Sequence, residues 1–212
     1  MKLTTNQVKE RIICEKPQIV VLCGKTCTGK STFARELESL NYKHIEFDLI
    51  VRESVRNKFG AKDKEAFTVY GGIAPKEWQE SFETTAKGFI DNMLAVSNIA
   101  LDSAIADPTV LQRILGKHAD EICLVYFHPF DRGFYYQSIS KRFSDDVINK
   151  KVSFPIWDHI TEVQLSDYKV NGIKGNEISK KIKQYADESI EKSKERLELF
   201  KTAFPSIIIT GH

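Results

Sequence analysis

The sequence has no apolar run that approaches the ~20 residues needed to cross a bilayer. No membrane partner is therefore expected. Residues Met1 to Pro17 contain no long apolar core, so no signal peptide is expected, and a cytoplasmic location is the natural reading. No internal repeat and no low-complexity tract occurs, which excludes solenoid and fibrous classes. Charge of one sign is also lacking. The chain carries 31 basic against 29 acidic residues, a net +2, which weighs against a dedicated nucleic-acid binder. Cysteine is sparse. Cys14, Cys23, Cys27 and Cys123 offer one close pair, Cys23 and Cys27, with no second pair and no histidine at zinc spacing. A structural zinc site is not expected, and a reducing compartment fits best.

What is present is enough for one domain. At 212 residues the chain can bury a full core without staples. Short apolar runs rich in β-branched residues alternate with helical patterns. Strands are expected at Ile19 to Cys23, His44 to Phe47, Ile99 to Leu101, Ile122 to Phe127 and Ile207 to Ile209. Helices are expected at Lys30 to Leu40, from Leu49 toward Phe59, from Pro75 onward, from Pro108 to Leu115, from Asp131 to Phe143 and from Asn176 to Phe204. The Pro75 helix carries a stripe of Trp78, Phe82, Ala86, Phe89 and Met93, read as core packing. Ala61 to Gly72 reads as a charged loop or excursion, and 144–175 shows no sustained period.

Alternating strands and helices predict an α/β fold. The expectation is a single three-layer domain over 1–212, a P-loop fold with an about five-stranded, mostly parallel sheet and helices on both faces. Residues 49–97 would form a helical excursion toward substrate, and 144–175 a lid or insertion. In such a sheet the ligand belongs at the carboxyl ends of the strands.

One motif sits at that edge. Gly24-Lys25-Thr26-Cys27-Thr28-Gly29-Lys30-Ser31 fits G-x-x-x-x-G-K-[ST] at every fixed position, with an apolar strand before it and a helical pattern after it. Its glycines permit close backbone approach. Successive N–H groups then form a cradle for phosphate oxygens, and the helix N-terminus adds positive potential. Lys30 is placed to reach the β- and γ-phosphates and Ser31 to present its hydroxyl to Mg²⁺. Thr32 is a weaker candidate for the α-phosphate.

Absences narrow the class further. Neither N-K-x-D nor D-x-x-G, the usual guanine and switch motifs, occurs. Leu101-Asp102 is followed by Ser103, so the water-orienting Glu of a mechanical ATPase is missing. Asp48, after the His44-Ile45-Glu46-Phe47 strand, is suited to accept a proton from an attacking hydroxyl; capping a following helix is the plainer role. Asp102 is a candidate for holding Mg²⁺ or positioning substrate, or is simply a cap or turn residue. Arg52 and Arg56, one helical turn apart, are candidates for an anionic substrate or for a solvated face. Arg132, Lys141 and Arg142 are candidates to neutralise charge on a transferring phosphoryl group. Arg142 is preferred because it falls at the expected junction between helix and lid. His128 reads as structural.

The loop and the strand ending at Asp48 resemble the nucleoside-monophosphate-kinase-like superfamily of P-loop kinases, which includes shikimate and gluconate kinases, chloramphenicol phosphotransferase and zeta-type toxins. The resemblance covers about half the chain and implies ATP and Mg²⁺ as cofactors, Asp48 as the base and a lid arginine in or near 144–175. It implies a small-molecule phosphate acceptor with a hydroxyl or phosphate. Two alternatives stay open: a nucleotide or nucleic-acid-end kinase, and a nucleotide-binding regulatory or interaction module without transfer. The acceptor and the oligomeric state are not set by these residues.

Overall fold

The computed structural model describes residues 2–148 and 176–211. Its centre is β1 (Ile19–Gly24), buried on both faces along its whole length. Five strands form one parallel sheet in the order β2-β3-β1-β4-β5, the others being β2 (Tyr42–Glu46), β3 (Asn98–Asp102), β4 (Ile122–Phe127) and β5 (Ile208–Thr210). The expected α/β fold is the observed one.

Alternation along the strands divides the core into two. Val20, Leu22, Ala100 and Val125 pack against α1 (Thr5–Glu15) and α2 (Lys30–Glu38), chiefly through Val8, Ile12, Phe33 and Leu37. Val21, Cys23, Leu101 and Tyr126 face the opposite layer. That layer holds α3 (Phe47–Val51), a wide π turn (Arg52–Asn57), α4 (Asp63–Ala66), a 3₁₀ turn (Phe67–Gly71), α5 (Lys76–Leu94) and α6 (Pro108–Leu115). The C-terminal part of the long α8 (Asn176–Ala203) joins it through Leu197 and Phe200. A third apolar cluster zips α7 (Arg132–Ile148) to the N-terminal part of α8, with Tyr135, Ile139 and Phe143 against Ile178, Ile182 and Ala186. Among the described residues no helix is long and apolar enough to cross a membrane.

Several local expectations are corrected. Phe47 does not end β2; it opens α3 and is fully buried, with its ring 6.2 Å from that of Phe82. Of the loop or excursion expected over Ala61 to Gly72, the loop is corrected: the segment carries α4 and the 3₁₀ turn, which bury Ala66, Val69 and Tyr70. Short apolar spacing hid it, because one-turn helices show no period. Helix α7 runs past Phe143 to Ile148, so it takes in the first residues of the expected lid. The rest of that segment, 149–175, lies outside the described residues. Helix α5 buries Phe82, Ala86 and Ile90, an i, i+4, i+8 ridge, and leaves Phe89 41% exposed.

This difference between two phenylalanines of one helix is measurable. Phe82→Ala is expected to lower the unfolding free energy by about 3–5 kcal/mol, and Phe89→Ala to change it within about 0.5 kcal/mol. Urea denaturation of the two variants checks both.

Candidate active site

The loop that leaves β1 is shaped by two left-handed glycines. Gly24 has φ 138°, and a Cβ there would run into the carbonyl oxygen of Phe127 at the end of β4. Its glycine is thus required by the neighbouring strand as well as by the turn. Gly29, φ 95°, is the N-cap of α2 and supplies no side-chain cap, which leaves the first N–H groups of α2 uncovered by a side chain. Cys27 also lies in the left-handed region, φ 64°.

Inside the loop one carbonyl acts as an anchor. Lys25 O accepts from Lys30 Nζ at 2.8 Å and from Thr28 Oγ1 at 2.7 Å. The Lys30 side chain is thereby folded back across its own loop. Tyr135 of α7 donates its hydroxyl to Thr26 O at 3.1 Å and ties the loop to the α7–α8 pair. The loop also concentrates positive charge. Burial, with Arg196, Lys192 and Lys30 nearby, lowers Lys25 to about 8.

Ser31 donates its hydroxyl to Oδ2 of Asp102 at the end of β3. Burial works to raise the Asp102 pKa, but His44, Lys30 and the Ser31 hydroxyl outweigh it and hold the carboxyl below its ordinary value. Asp102 does not cap α6; Asp107 does, through Thr109 N at 2.8 Å. Ser31 and Asp102 are hard oxygen donors of the kind Mg²⁺ takes. Among the described residues no group of three or more His, Cys, Asp or Glu is placed to hold a metal by itself. A cation between Ser31 and Asp102 would therefore draw its remaining ligands from phosphate or water, as Mg²⁺ at a nucleotide does.

Asp48 lies in the first turn of α3 rather than before it. Its Oδ1 accepts the Tyr70 hydroxyl at 2.7 Å. Burial and the Asp48 charge push the Tyr70 phenol well above its ordinary pKa, so it stays a donor. Tyr70 comes from a segment with no sequence signal of its own.

A cavity of ≈ 440 Å³ brings these groups together. Thr26 to Thr32 line it, along with Asp48, Asp102 and Arg142. Arg35 and Glu46, which the motif reading did not include, also line it. Gly24, Lys25, Arg52 and Arg56 are not among its lining residues. Arg52 lies near Tyr70, whose pKa it lowers slightly, and its buried Nε has no hydrogen-bond partner. Arg56 is exposed. Of the three basic candidates on α7, Arg132 is paired with Asp187 of α8, Lys141 lines a neighbouring cavity of ≈ 500 Å³, and Arg142 borders both cavities. Arg142 lies inside α7, not at its end as expected. His128 is buried, with Nδ1 3.0 Å from Ser193 Oγ, which agrees with a structural role.

Neither a protein-family model nor a curated protein sequence matches the chain. Among solved structures it is similar to shikimate kinase from Bacteroides thetaiotaomicron, at 16% identity over 85% of this chain and 98% of that one, with a TM-score of 0.44. It is also similar to shikimate kinase from Acinetobacter baumannii in complex with shikimate. There the identity is 14% over 91% of this chain and 97% of that one, with a TM-score of 0.38.

The charge on Lys25 makes a stability prediction. Its folded pKa lies below the unfolded one, so between about 8 and 10.5 the unfolded chain binds more protons and stability rises with pH. Below about 8 the cost of burying the charged ammonium, and its repulsion by the neighbouring cations, is fully present. Lys25→Met is expected to raise Tm at pH 7 by about 2–4 °C, for roughly 1 kcal/mol of relieved desolvation and repulsion after solvent screening. The gain should shrink as pH climbs from about 8 to 10.5 in thermal melts.

Proposed function

We propose that the protein is an ATP- and Mg²⁺-dependent phosphotransferase that moves the γ-phosphoryl group to a hydroxyl of a small-molecule acceptor. The observation that carries this reading is the shared cavity: the phosphate loop and the Asp48 carboxylate line the same space, and the Tyr70 hydroxyl holds that carboxylate. A binding module for nucleotide alone has no need of a tyrosine-held carboxylate in the same cavity as that loop.

The roles follow from chemistry and position. Loop amides and the α2 N-terminus hold the phosphates. Lys30 exchanges the Lys25 carbonyl for phosphate oxygens. Ser31 and Asp102 would hold Mg²⁺, which supplies charge neutralisation at the phosphates when bound. Tyr70 occupies Oδ1 of Asp48 and leaves Oδ2 to take the acceptor proton. The acceptor oxygen then bonds to the γ-phosphorus as the bond to the ADP oxygen breaks. Arg142 offsets charge on the transferring group. The cavity of ≈ 500 Å³ beyond Gly29 and Thr32, with the rings of Phe33, Phe127 and Phe134 in its lining, suits the nucleoside. Arg52, beside Tyr70, is suited to an anionic group on the acceptor.

Incubation with ATP, Mg²⁺ and a metabolite extract, read by mass spectrometry for a phosphate-shifted product, tests the reading. Lys30→Ala should abolish the product. Asp48→Asn should cut turnover by about 10²–10⁴-fold while ATP affinity stays within about threefold, because the carboxylate acts on the acceptor. Wild-type turnover in Asp48→Asn would remove the base from the mechanism.

A further inference from the structure

We propose that His44 is a positioning residue for the cation site, its imidazole setting the orientation in which Asp102 faces Ser31. The proposal rests on the reading that this cavity takes a divalent cation with its nucleotide.

The placement comes from the sheet register. His44 lies opposite Ala100, and Glu46 opposite Asp102, on neighbouring parallel strands. His44 and Asp102 therefore share one face of the sheet, the face where Tyr42 and Ala100 pack toward α2. The two side chains are 8% and 10% exposed. His44 Nε2 lies 3.8 Å from Asp102 Oδ2, within ion-pair range but too far for a hydrogen bond, and this buried nitrogen has no hydrogen-bond partner.

A buried ring nitrogen without a partner is costly. If His44 only filled space between β2 and α2, an aliphatic residue would do so without that cost. Its nearby acceptor is Oδ2, the same oxygen that takes the Ser31 hydroxyl. The two donors compete for it. If Ser31 gave its oxygen to a cation, Oδ2 would be released, and a small rotation of Asp102 would let it accept from His44. The other carboxylate oxygen would then be left to a cation. Groups behind a ligand that fix its orientation change metal affinity by about 10–100-fold when removed.

The test measures ATP affinity by calorimetry, with Mg²⁺ and with EDTA, in wild type, His44→Phe, His44→Gln, Asp102→Ala and the Asp102→Ala/His44→Phe double variant. His44→Leu is measured alongside in case the larger ring disturbs β2. His44→Phe is expected to reduce the Mg²⁺ enhancement of affinity by about tenfold, with affinity in EDTA within about twofold of wild type. His44→Gln, whose amide nitrogen reaches the Nε2 position, should restore most of the enhancement. In the Asp102→Ala background His44→Phe should add nothing, because its effect passes through that carboxylate. Full enhancement in both His44→Phe and His44→Leu overturns the proposal. So does an equal loss with Mg²⁺ and with EDTA, or a loss that adds to that of Asp102→Ala. A wild type with no Mg²⁺ enhancement removes the cation site itself and the proposal with it. Enhancement in the wild type that survives in the His44 variants removes only the proposal.

Discussion

Strand β1 is hydrogen-bonded on both edges, to β3 and to β4, and is buried on both faces. Nothing about its position can shift without breaking two ladders and two cores. The chain that leaves it at Gly24 is clamped further, since Gly24 sits against the Phe127 carbonyl where a side chain would not fit. A loop that begins from so fixed a point is held at its root without help from a ligand. The parallel arrangement then delivers the ends of β2 and β3 beside it, bringing Asp102 and the start of α3 to the same edge.

The groups at that edge are supported from behind in different ways. Asp48 is held by Tyr70, out of the layer built on Phe47 and Phe82. Asp102 is held from the loop side by Ser31, with His44 beneath it on the α2 face. The α7–α8 pair has an apolar cluster of its own and reaches the loop through the Tyr135 hydroxyl and Thr26. Three separately packed units thus converge on one cavity.

How much of this could be read from sequence depended on range. The glycine-rich loop between β1 and α2 was legible because its fixed residues lie within eight positions and their neighbours announce strand and helix. The strands themselves were legible to within a residue or two, since β-branched apolar runs bounded by turn residues have few other uses. The order of strands was not, because pairing is decided by contacts distant in sequence. Phe47 misled for a physical reason: a buried aromatic after a strand pattern looks like more strand, yet here it is the first residue of a helix. Tyr70 was invisible because its value lies in a contact with Asp48, 22 positions away. Ser144, Asp145 and Asp146 broke the apolar pattern of α7, so its length was underread and Arg142 was placed at an end it does not occupy.

The double hydrogen bond to Lys25 O has a consequence for the loop as a receptor. An ammonium leaving that carbonyl for an incoming anion would ordinarily strand a polar group in a tight, part-buried turn. Here the Thr28 hydroxyl remains on the same oxygen, so the departure orphans nothing. The backbone has no cause to collapse before the ligand arrives or to rebuild afterwards. Under the proposed function, occupancy would be an exchange of partners by one flexible side chain, without the reorganisation that makes many anion sites slow to fill and slow to empty.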